Sequence, residues 1–259
     1  MYYNKKQENK IKAYKHHNYM IENYNDDIQK SINNSKVYYL PDDNINFIYD
    51  ANINNNVKIY IEPLTTEKVV KDYINIGDLC VLNFASFKYP GGGFINGAIA
   101  QEECLCHSSN LYNIIGSDKF KKYYEDNRRN LNDGLYSSFI IYSPNVDFVF
   151  NDYKKICKVN VITCAAPNAG IYLNRYNNIS KLNSVLESRI KNILETAKLH
   201  KQKNLILGAF GCGVFKNDPD VVANIFKKYI YSSEYQFENI IFAIPPGNNY
   251  NIFKRIFTN

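Results

Sequence analysis

The apolar positions along the chain repeat with helical spacing in several segments. Residues 8–33 carry apolar or aromatic side chains at intervals of about three, four and seven, which predicts one or two amphipathic helices. These side chains are Ile11, Tyr14, Ile21, Tyr24, Ile28 and Ile32. Similar patterns predict further helices over 65–75, 181–199 and 219–231.

Short runs that are apolar on both faces lie between these helices. They cover residues 56–62, 78–86, 159–168, 204–210 and 239–245. Strands of this kind, alternating with amphipathic helices, indicate a largely parallel sheet that is covered on both sides. We therefore expect an α/β fold.

The chain shows no internal repeat and no linker rich in Pro, Gly or Ser. Its 259 residues, 45% of them hydrophobic, are enough for a substantial core. We expect residues 1–50 to form a helical extension that packs on the core, and residues 51–259 to form one domain.

Charge and cysteine content add little that is specific. The net charge of +6 mildly favours an acidic partner, but we interpret the densest basic run, "KKQENKIKAYKHH", as a solvated helix face.

Most of the six cysteines fall in apolar runs and no apolar signal segment opens the chain, so we expect a reduced, soluble, intracellular protein. No run of about 18 apolar residues indicates a membrane span. Cys104, Cys106 and His107 lack a second pair with zinc spacing, so no metal is expected.

The stretch "YPGGGFINGAIAQEECLCHSS", residues 89–109, joins three glycines to two adjacent glutamates. Gly91, Gly92 and Gly93 follow a predicted strand, and they indicate positive φ angles or the close approach of a ligand to the backbone. Glu102 and Glu103 fall near the start of a predicted helix and project about 100° apart. They therefore cannot straddle a glycosidic bond, but they can share one substrate from one side.

The two glutamates allow two interpretations. A glutamate that is partly buried beside a second carboxylate and a diphosphate has a raised pKa, which suits a general acid. Taken alone, however, "QEE" is typical of exposed charges on a helix.

A second glycine-rich loop, "GAFGCGVFKNDPD" (208–220), lies between a predicted strand and a helix. Gly208, Gly211 and Gly213 would let successive backbone N–H groups point into one concavity, and the positive end of the next helix would add to it. This arrangement binds phosphates. The loop matches neither the Walker A nor the G-x-G-x-x-G pattern, and an ordinary tight turn also explains it.

The two loops together are more specific than either. Three glycines, seven residues and then "QEE" resemble the signature of the poly(ADP-ribose) glycohydrolases, and residues 81–112, 161–170 and 208–219 resemble their bacterial (microbial) branch. The resemblance covers about residues 56–244; the lysine-rich N-terminal run and "AIPPGNNY" (243–250) lie outside it. It implies a macrodomain-like three-layer α/β/α fold with a mixed sheet, and a cleft for ADP-ribose at the strand ends. Residues 51–259 would be the catalytic domain.

The resemblance also implies roles for individual residues. Glu103 would be the catalytic acid and base, and Glu102 would hold the ribose hydroxyls beside the scissile bond. The other implied substrate-binding residues are Asn83 and Asn96 at the distal ribose, Gly91, Gly92 and Gly93 in the catalytic loop, Gly211, Cys212 and Gly213 at the diphosphate, and Gln101, Val214 and Phe215.

The implied reaction is hydrolysis of ribose–ribose O-glycosidic bonds in poly(ADP-ribose) or on ADP-ribosylated protein, with release of ADP-ribose and no cofactor. The same cleft could accept other leaving groups. Removal of single ADP-ribose units from protein or nucleic acid is therefore an alternative. A non-catalytic ADP-ribose reader is another, although a reader has no need of two glutamates, and a nucleotide-binding structural protein is a third. We expect a monomer.

Overall fold

The computed structural model describes residues 2–39, 56–150, 153, 155–232 and 235–258. The predicted domain boundary at residue 50 lies outside these ranges, so the division into domains stays a prediction. The helices are α1 (Tyr2–Asn34), α2 (Thr66–Tyr73), α3 (Gln101–His107), α4 (Leu111–Ile115), α5 (Lys121–Arg129), α6 (Ala169–Tyr176), α7 (Ile179–Leu199), α8 (Pro219–Ile230) and α9 (Asn248–Thr258). The strands are β1 (Lys36–Tyr38), β2 (Lys58–Glu62), β3 (Leu79–Phe84), β4 (Ile140–Phe150), β5 (Lys155–Cys164), β6 (Asn204–Leu207) and β7 (Asn239–Ala243).

These strands form one mixed sheet in the order β1-β4-β5-β3-β6-β7-β2. The five strands from β5 to β2 are parallel, and β4 and β1 continue the sheet in antiparallel pairing. The prediction of a mixed, largely parallel α/β sheet is confirmed. The sequence did not predict β4, because a register shift between Ser143 and Val146 interrupts its apolar alternation.

The central strand β3 divides its side chains between two apolar cores. Cys80 and Leu82 pack on the face that is covered by α7, α8 and α9. Leu79 and Val81 pack on the opposite face, which is covered by α1 to α5. This alternation, with every side chain from 79 to 83 buried, explains why the strand reads as a continuous apolar run.

Helix α1 confirms the predicted N-terminal helix, with non-helical backbone angles at Tyr24. The predicted stripe is buried only in part: Ile28 and Ile32 are buried, whereas Ile11, Tyr14 and Ile21 are more than 40% exposed. Ala13 and Met20 are buried instead, one or two positions away. Helix α1 packs closely on the segment at Gly97, where an added Cβ would clash with the carbonyl oxygen of Lys6.

The carboxyl ends of the parallel strands meet at one edge of the sheet. Phe84 at the end of β3 pairs with Cys164 at the end of β5. The segments that follow β3, β5, β6 and β7 therefore begin side by side. Ligands of open α/β sheets bind at this edge.

Candidate active site

The glycine loop after β3 needs its glycines for conformation and for space. Gly91 and Gly92 have φ angles of 66° and 59°, in the left-handed region. A Cβ on Gly92 would lie 2.6 Å from Oε1 of Glu103 and 3.0 Å from Oε2 of Glu102. Both carboxylates therefore lie against the face of Gly92 that a side chain would occupy, and no larger residue fits there.

Gln101 fixes the start of α3 to the end of β3. Its Oε1 accepts a hydrogen bond from the N–H of Phe84 at 2.9 Å. Its Nε2 donates to the carbonyl oxygen of Leu82 at 2.8 Å and to Oγ1 of Thr66 at 3.2 Å. These contacts place the next two side chains of the helix, both glutamates, at the strand end.

Glu102 is buried, with 3% of its surface exposed. Its Oε2 accepts from the N–H of Ser86 at 2.6 Å, and its Oε1 accepts from Nδ2 of Asn83 at 3.2 Å. Burial raises the pKa of the Glu102 carboxyl to about 8, and the negative charge of Glu103 adds to this. The hydrogen bonds from Ser86 and Asn83, and a weaker one from the backbone of Gly91, oppose it. Its surroundings therefore favour the protonated form of Glu102.

Glu103 is held by two backbone donors. Its Oε1 accepts from the N–H of Gly93 at 2.7 Å, and its Oε2 accepts from the N–H of Ala100, immediately before α3, at 2.9 Å. Only 7% of the residue is exposed. The carboxylate thus connects the glycine loop to the start of the helix, in one fixed orientation.

The second glycine-rich loop presents free backbone donors. In the described part of the chain, the N–H groups of Gly213, Val214 and Phe215 have no acceptor. Successive unsatisfied backbone N–H groups are the donors with which loops of this kind bind phosphates. The predicted contribution of the positive end of α8 to phosphate binding is weakened, because the side chain of Asp218 caps this helix by accepting a hydrogen bond from the N–H of Asp220.

Asn217 holds this loop in shape. Its Nδ2 donates to the carbonyl oxygens of Pro167 at 2.8 Å and of Gly211 at 3.1 Å. Gly211 has a φ of 73°, and a Cβ there would lie 2.4 Å from Nδ2 of Asn217 and 2.6 Å from Cβ of Ala166. The loop is therefore hydrogen-bonded to, and closely packed on, the segment that follows β5.

A cleft of about 580 Å³ opens between the two loops and has the glutamates in its wall. A second cavity of about 590 Å³ adjoins it and is lined by residues that include Thr65, Ile99, Cys104 and 244–249. Phe84, Ala100, Gln101, Ala209 and Gly213 line both. Each volume is in the range of about 300 to 1,000 Å³ that is usual for small-molecule sites.

Most of the residues singled out from the sequence line this cleft. They are Gly92, Gly93, Asn96, Gln101, Glu102, Glu103, Gly211, Gly213, Val214 and Phe215. The structure places three others behind the lining. Asn83 is fully buried beneath Glu102, Gly91 packs on Tyr112, and Cys212 is directed at the carbonyl oxygen of Phe210. All the roles assigned to these residues stay predictions.

Sequence reasoning missed Ser86 and Asn217. Ser86 acts on Glu102 through its backbone N–H, which no side-chain pattern reveals. Asn217 could have been noticed, because an amide between a glycine loop and a helix-starting Asp-Pro pair is typical of a side chain that fixes a turn.

Three further findings concern the described residues. No group of three or more His, Cys, Asp or Glu side chains is arranged to hold a metal ion. No disulfide joins the six cysteines, all of which lie among these residues, and Cys106 of the predicted C-x-C-H cluster is buried in the core. No described helix combines the length and apolar character that crossing a membrane requires.

Comparison with known proteins agrees with this geometry. The family described as "Microbial-type PARG, catalytic domain" matches residues 4–152. The match includes the lysine-rich N-terminal run, which the sequence resemblance had left outside. No match is found among curated proteins.

Solved structures give a longer alignment. Poly(ADP-ribose) glycohydrolase from Thermomonospora curvata is 27% identical, with a TM-score of 0.84, and the alignment covers 97% of this chain and 100% of that one. The same protein bound to the inhibitor ADP-HPD is 26% identical, with a TM-score of 0.82 and coverage of 96% and 99%. The enzyme from Deinococcus radiodurans in complex with ADP-ribose is 30% identical, with a TM-score of 0.78 and coverage of 89% and 96%.

Proposed function

The chain belongs to the microbial-type poly(ADP-ribose) glycohydrolase family, and from this premise we propose how its own residues bind and cleave the substrate. It is a hydrolase that cleaves ribose–ribose O-glycosidic bonds and releases ADP-ribose. The observation that carries the residue assignment is the pair of buried carboxylates packed against Gly92, in the wall of a cleft whose facing loop has free N–H donors.

The free donors set the direction in which the terminal ADP-ribose lies. Its diphosphate binds the N–H groups of Gly213, Val214 and Phe215, because these are unsatisfied and close together. Its distal ribose then lies near Glu102 and Glu103, and Phe215, which contacts Tyr136 at a ring distance of 5.9 Å, packs against the ligand. The adenosine extends into the second cavity, towards residues 244–249.

The carboxylate pair supplies the proton for cleavage. With a pKa of about 8, Glu102 keeps one proton on the pair at neutral pH. This proton passes from Glu102 to Glu103, which delivers it to the glycosidic oxygen of the leaving ribose. The bond from this oxygen to the anomeric carbon breaks, and an oxocarbenium-like centre forms, which water attacks. Glu103 then takes a proton from the attacking water. Glu102 holds the ribose hydroxyls, and the bound diphosphate stabilises the cationic centre.

Asn83 and Gln101 act through other residues in this scheme. Asn83 bridges Glu102 and Oγ1 of Thr163, at 3.2 and 3.3 Å, and so holds the carboxyl in place from behind. Gln101 holds the helix that carries both glutamates. We assign both as positioning residues. Since every group in the scheme comes from one chain, a monomer is sufficient.

A comparison of substrates tests the proposal. The purified chain is incubated with poly(ADP-ribose), with mono-ADP-ribosylated protein and with ADP-ribosylated DNA, and the released ADP-ribose is measured. We expect release from poly(ADP-ribose), with Glu103→Gln as the inactive control.

The other outcomes have defined meanings. Faster release from mono-ADP-ribosylated protein or from ADP-ribosylated DNA would assign the cleft to the removal of single units. Binding of ADP-ribose without release from any of the three would identify a reader and overturn the catalytic assignment.

A further inference from the structure

Tyr89 and Arg128 form a pair of exposed side chains at the rim of the cleft. Tyr89 lies two residues before Gly91, lines the cleft and is 56% exposed. The guanidinium carbon of Arg128, near the end of α5, lies 5.8 Å from the centre of the Tyr89 ring. Nη1 of Arg128 donates to the carbonyl oxygen of Lys88 at 2.9 Å, which holds the guanidinium beside the ring.

Much of the binding capacity of this rim is unused. A guanidinium has five N–H donors, and only one bond from Arg128 is formed in the described part of the chain. The amine of Lys88 has no acidic partner there, and Asp126 of α5 is already paired with Lys122. An exposed aromatic ring beside a guanidinium with unused donors, and next in sequence to a lysine, is suited to a nucleotide, since a base stacks on the ring and phosphates are attracted to the cations.

The position of the rim indicates which nucleotide it meets. Tyr89 lines the cleft that contains Glu102 and Glu103, but not the second cavity. The terminal ADP-ribose, placed as above, extends from the carboxylate pair along the second glycine-rich loop into the second cavity, and so away from Tyr89. The polymer on the other side of the scissile bond must therefore extend from the carboxylate pair along a different part of the rim. Tyr89, two residues before Gly91, is positioned to contact it.

We propose that Tyr89, Arg128 and Lys88 form a subsite for the nucleotide on the leaving side of the scissile bond. The adenine of that unit stacks on Tyr89, and its phosphates bind Arg128 and Lys88. This inference rests on the function proposed above. It makes the enzyme favour substrates whose leaving group is itself a nucleotide.

Two substrates distinguish a loss of binding at this subsite from a loss of catalysis at the carboxylate pair. One is poly(ADP-ribose), and the other is ADP-ribose with 4-nitrophenol at the scissile position, which has no nucleotide on the leaving side. For Tyr89→Ala we expect kcat/KM on the polymer to fall about tenfold, the size of one lost base-stacking contact. Turnover of the nitrophenyl substrate and the Kd of ADP-ribose should not change. Tyr89→Phe keeps the ring and should restore kcat/KM on the polymer.

Arg128 has a matched control in its neighbour. Arg128→Gln should raise KM on the polymer and reduce its dependence on salt, because one phosphate contact is lost. Arg129→Gln removes the same charge from the end of the same helix, at a residue with no described contact to Tyr89. Arg129→Gln should leave the KM on the polymer, and the salt dependence of this KM, unchanged.

Each other outcome overturns a defined part of this account. Equal losses on both substrates in Tyr89→Ala would show that the residue only shapes the glycine loop. Unchanged kinetics on the polymer would show that no subsite exists at Tyr89, while cleavage by the wild type would still support the proposed function. A wild type that cleaves neither substrate would overturn both proposals.

Discussion

The backbone N–H of Gly93 donates a hydrogen bond of 2.7 Å to Oε1 of Glu103. The loop proposed to contact the substrate and the carboxylate proposed to move the proton are thus joined directly. A change in either residue alters the position of the other, so chemistry and folding have to be measured separately for each variant.

Glu103→Gln should abolish proton transfer while keeping the shape of the site. We expect kcat on poly(ADP-ribose) to fall by at least the roughly 10²- to 10⁴-fold that general acid–base catalysis contributes. The Kd of ADP-ribose, measured by calorimetry, should change little.

This substitution also has a cost in stability. A glutamine has one acceptor oxygen for the two N–H groups, of Gly93 and Ala100, that now bind the carboxylate. The free energy of unfolding should fall by about 1 to 3 kcal/mol. A folded variant with near-normal turnover would disprove the role of Glu103 and make Glu102 the candidate acid.

Glu102 should make stability depend on pH. Its carboxyl has a folded pKa of about 8 against an ordinary value of 4.5, so between these values the folded chain binds a proton that the unfolded chain releases. The resulting stabilisation is complete below about pH 4.5 and declines as pH rises towards 8, by at most about 1.4 kcal/mol per pH unit.

Urea unfolding at pH 5, 6.5 and 8 measures this effect. Glu102→Gln imitates the protonated carboxyl at every pH, so its stability relative to the wild type should increase as pH rises. A difference that is constant over this range would show that Glu102 is ionised in the folded protein.

Gly92→Ala should disrupt both carboxylates. The new methyl group would lie 2.6 Å from Glu103 and 3.0 Å from Glu102, at a φ of 59° that L-residues rarely adopt. We expect a loss of about 1 to 3 kcal/mol in the free energy of unfolding and a large fall in kcat. Gly213→Ala is the control for folding, because no atom lies within 4 Å of its added Cβ. Equal stability of the two variants would contradict this packing.

The sequence predicted the sheet better than the arrangement of the site. Parallel strands such as β3 are buried on both faces and give continuous apolar runs, whereas β4 carries a register shift that hides its pattern. At the site, the motif identified Glu102 and Glu103. The contacts that orient them are made by backbone N–H groups, such as those of Ser86 and Gly93. Such contacts cannot be inferred from residue type.

Asn217→Ala tests whether the second loop is preorganised for the diphosphate. The side chain is buried and holds the loop through the carbonyl oxygens of Pro167 and Gly211, but it does not line the cleft. Its loss should lower the free energy of unfolding by about 1 to 3 kcal/mol and weaken ADP-ribose binding by about 1 kcal/mol, because the ligand must then order the loop. Calorimetry with Asn224→Ala as control, which removes an exposed asparagine bonded within α8, isolates this effect. If Asn217→Ala loses stability but keeps full affinity for ADP-ribose, the free N–H groups of the loop do not depend on Asn217 for their arrangement.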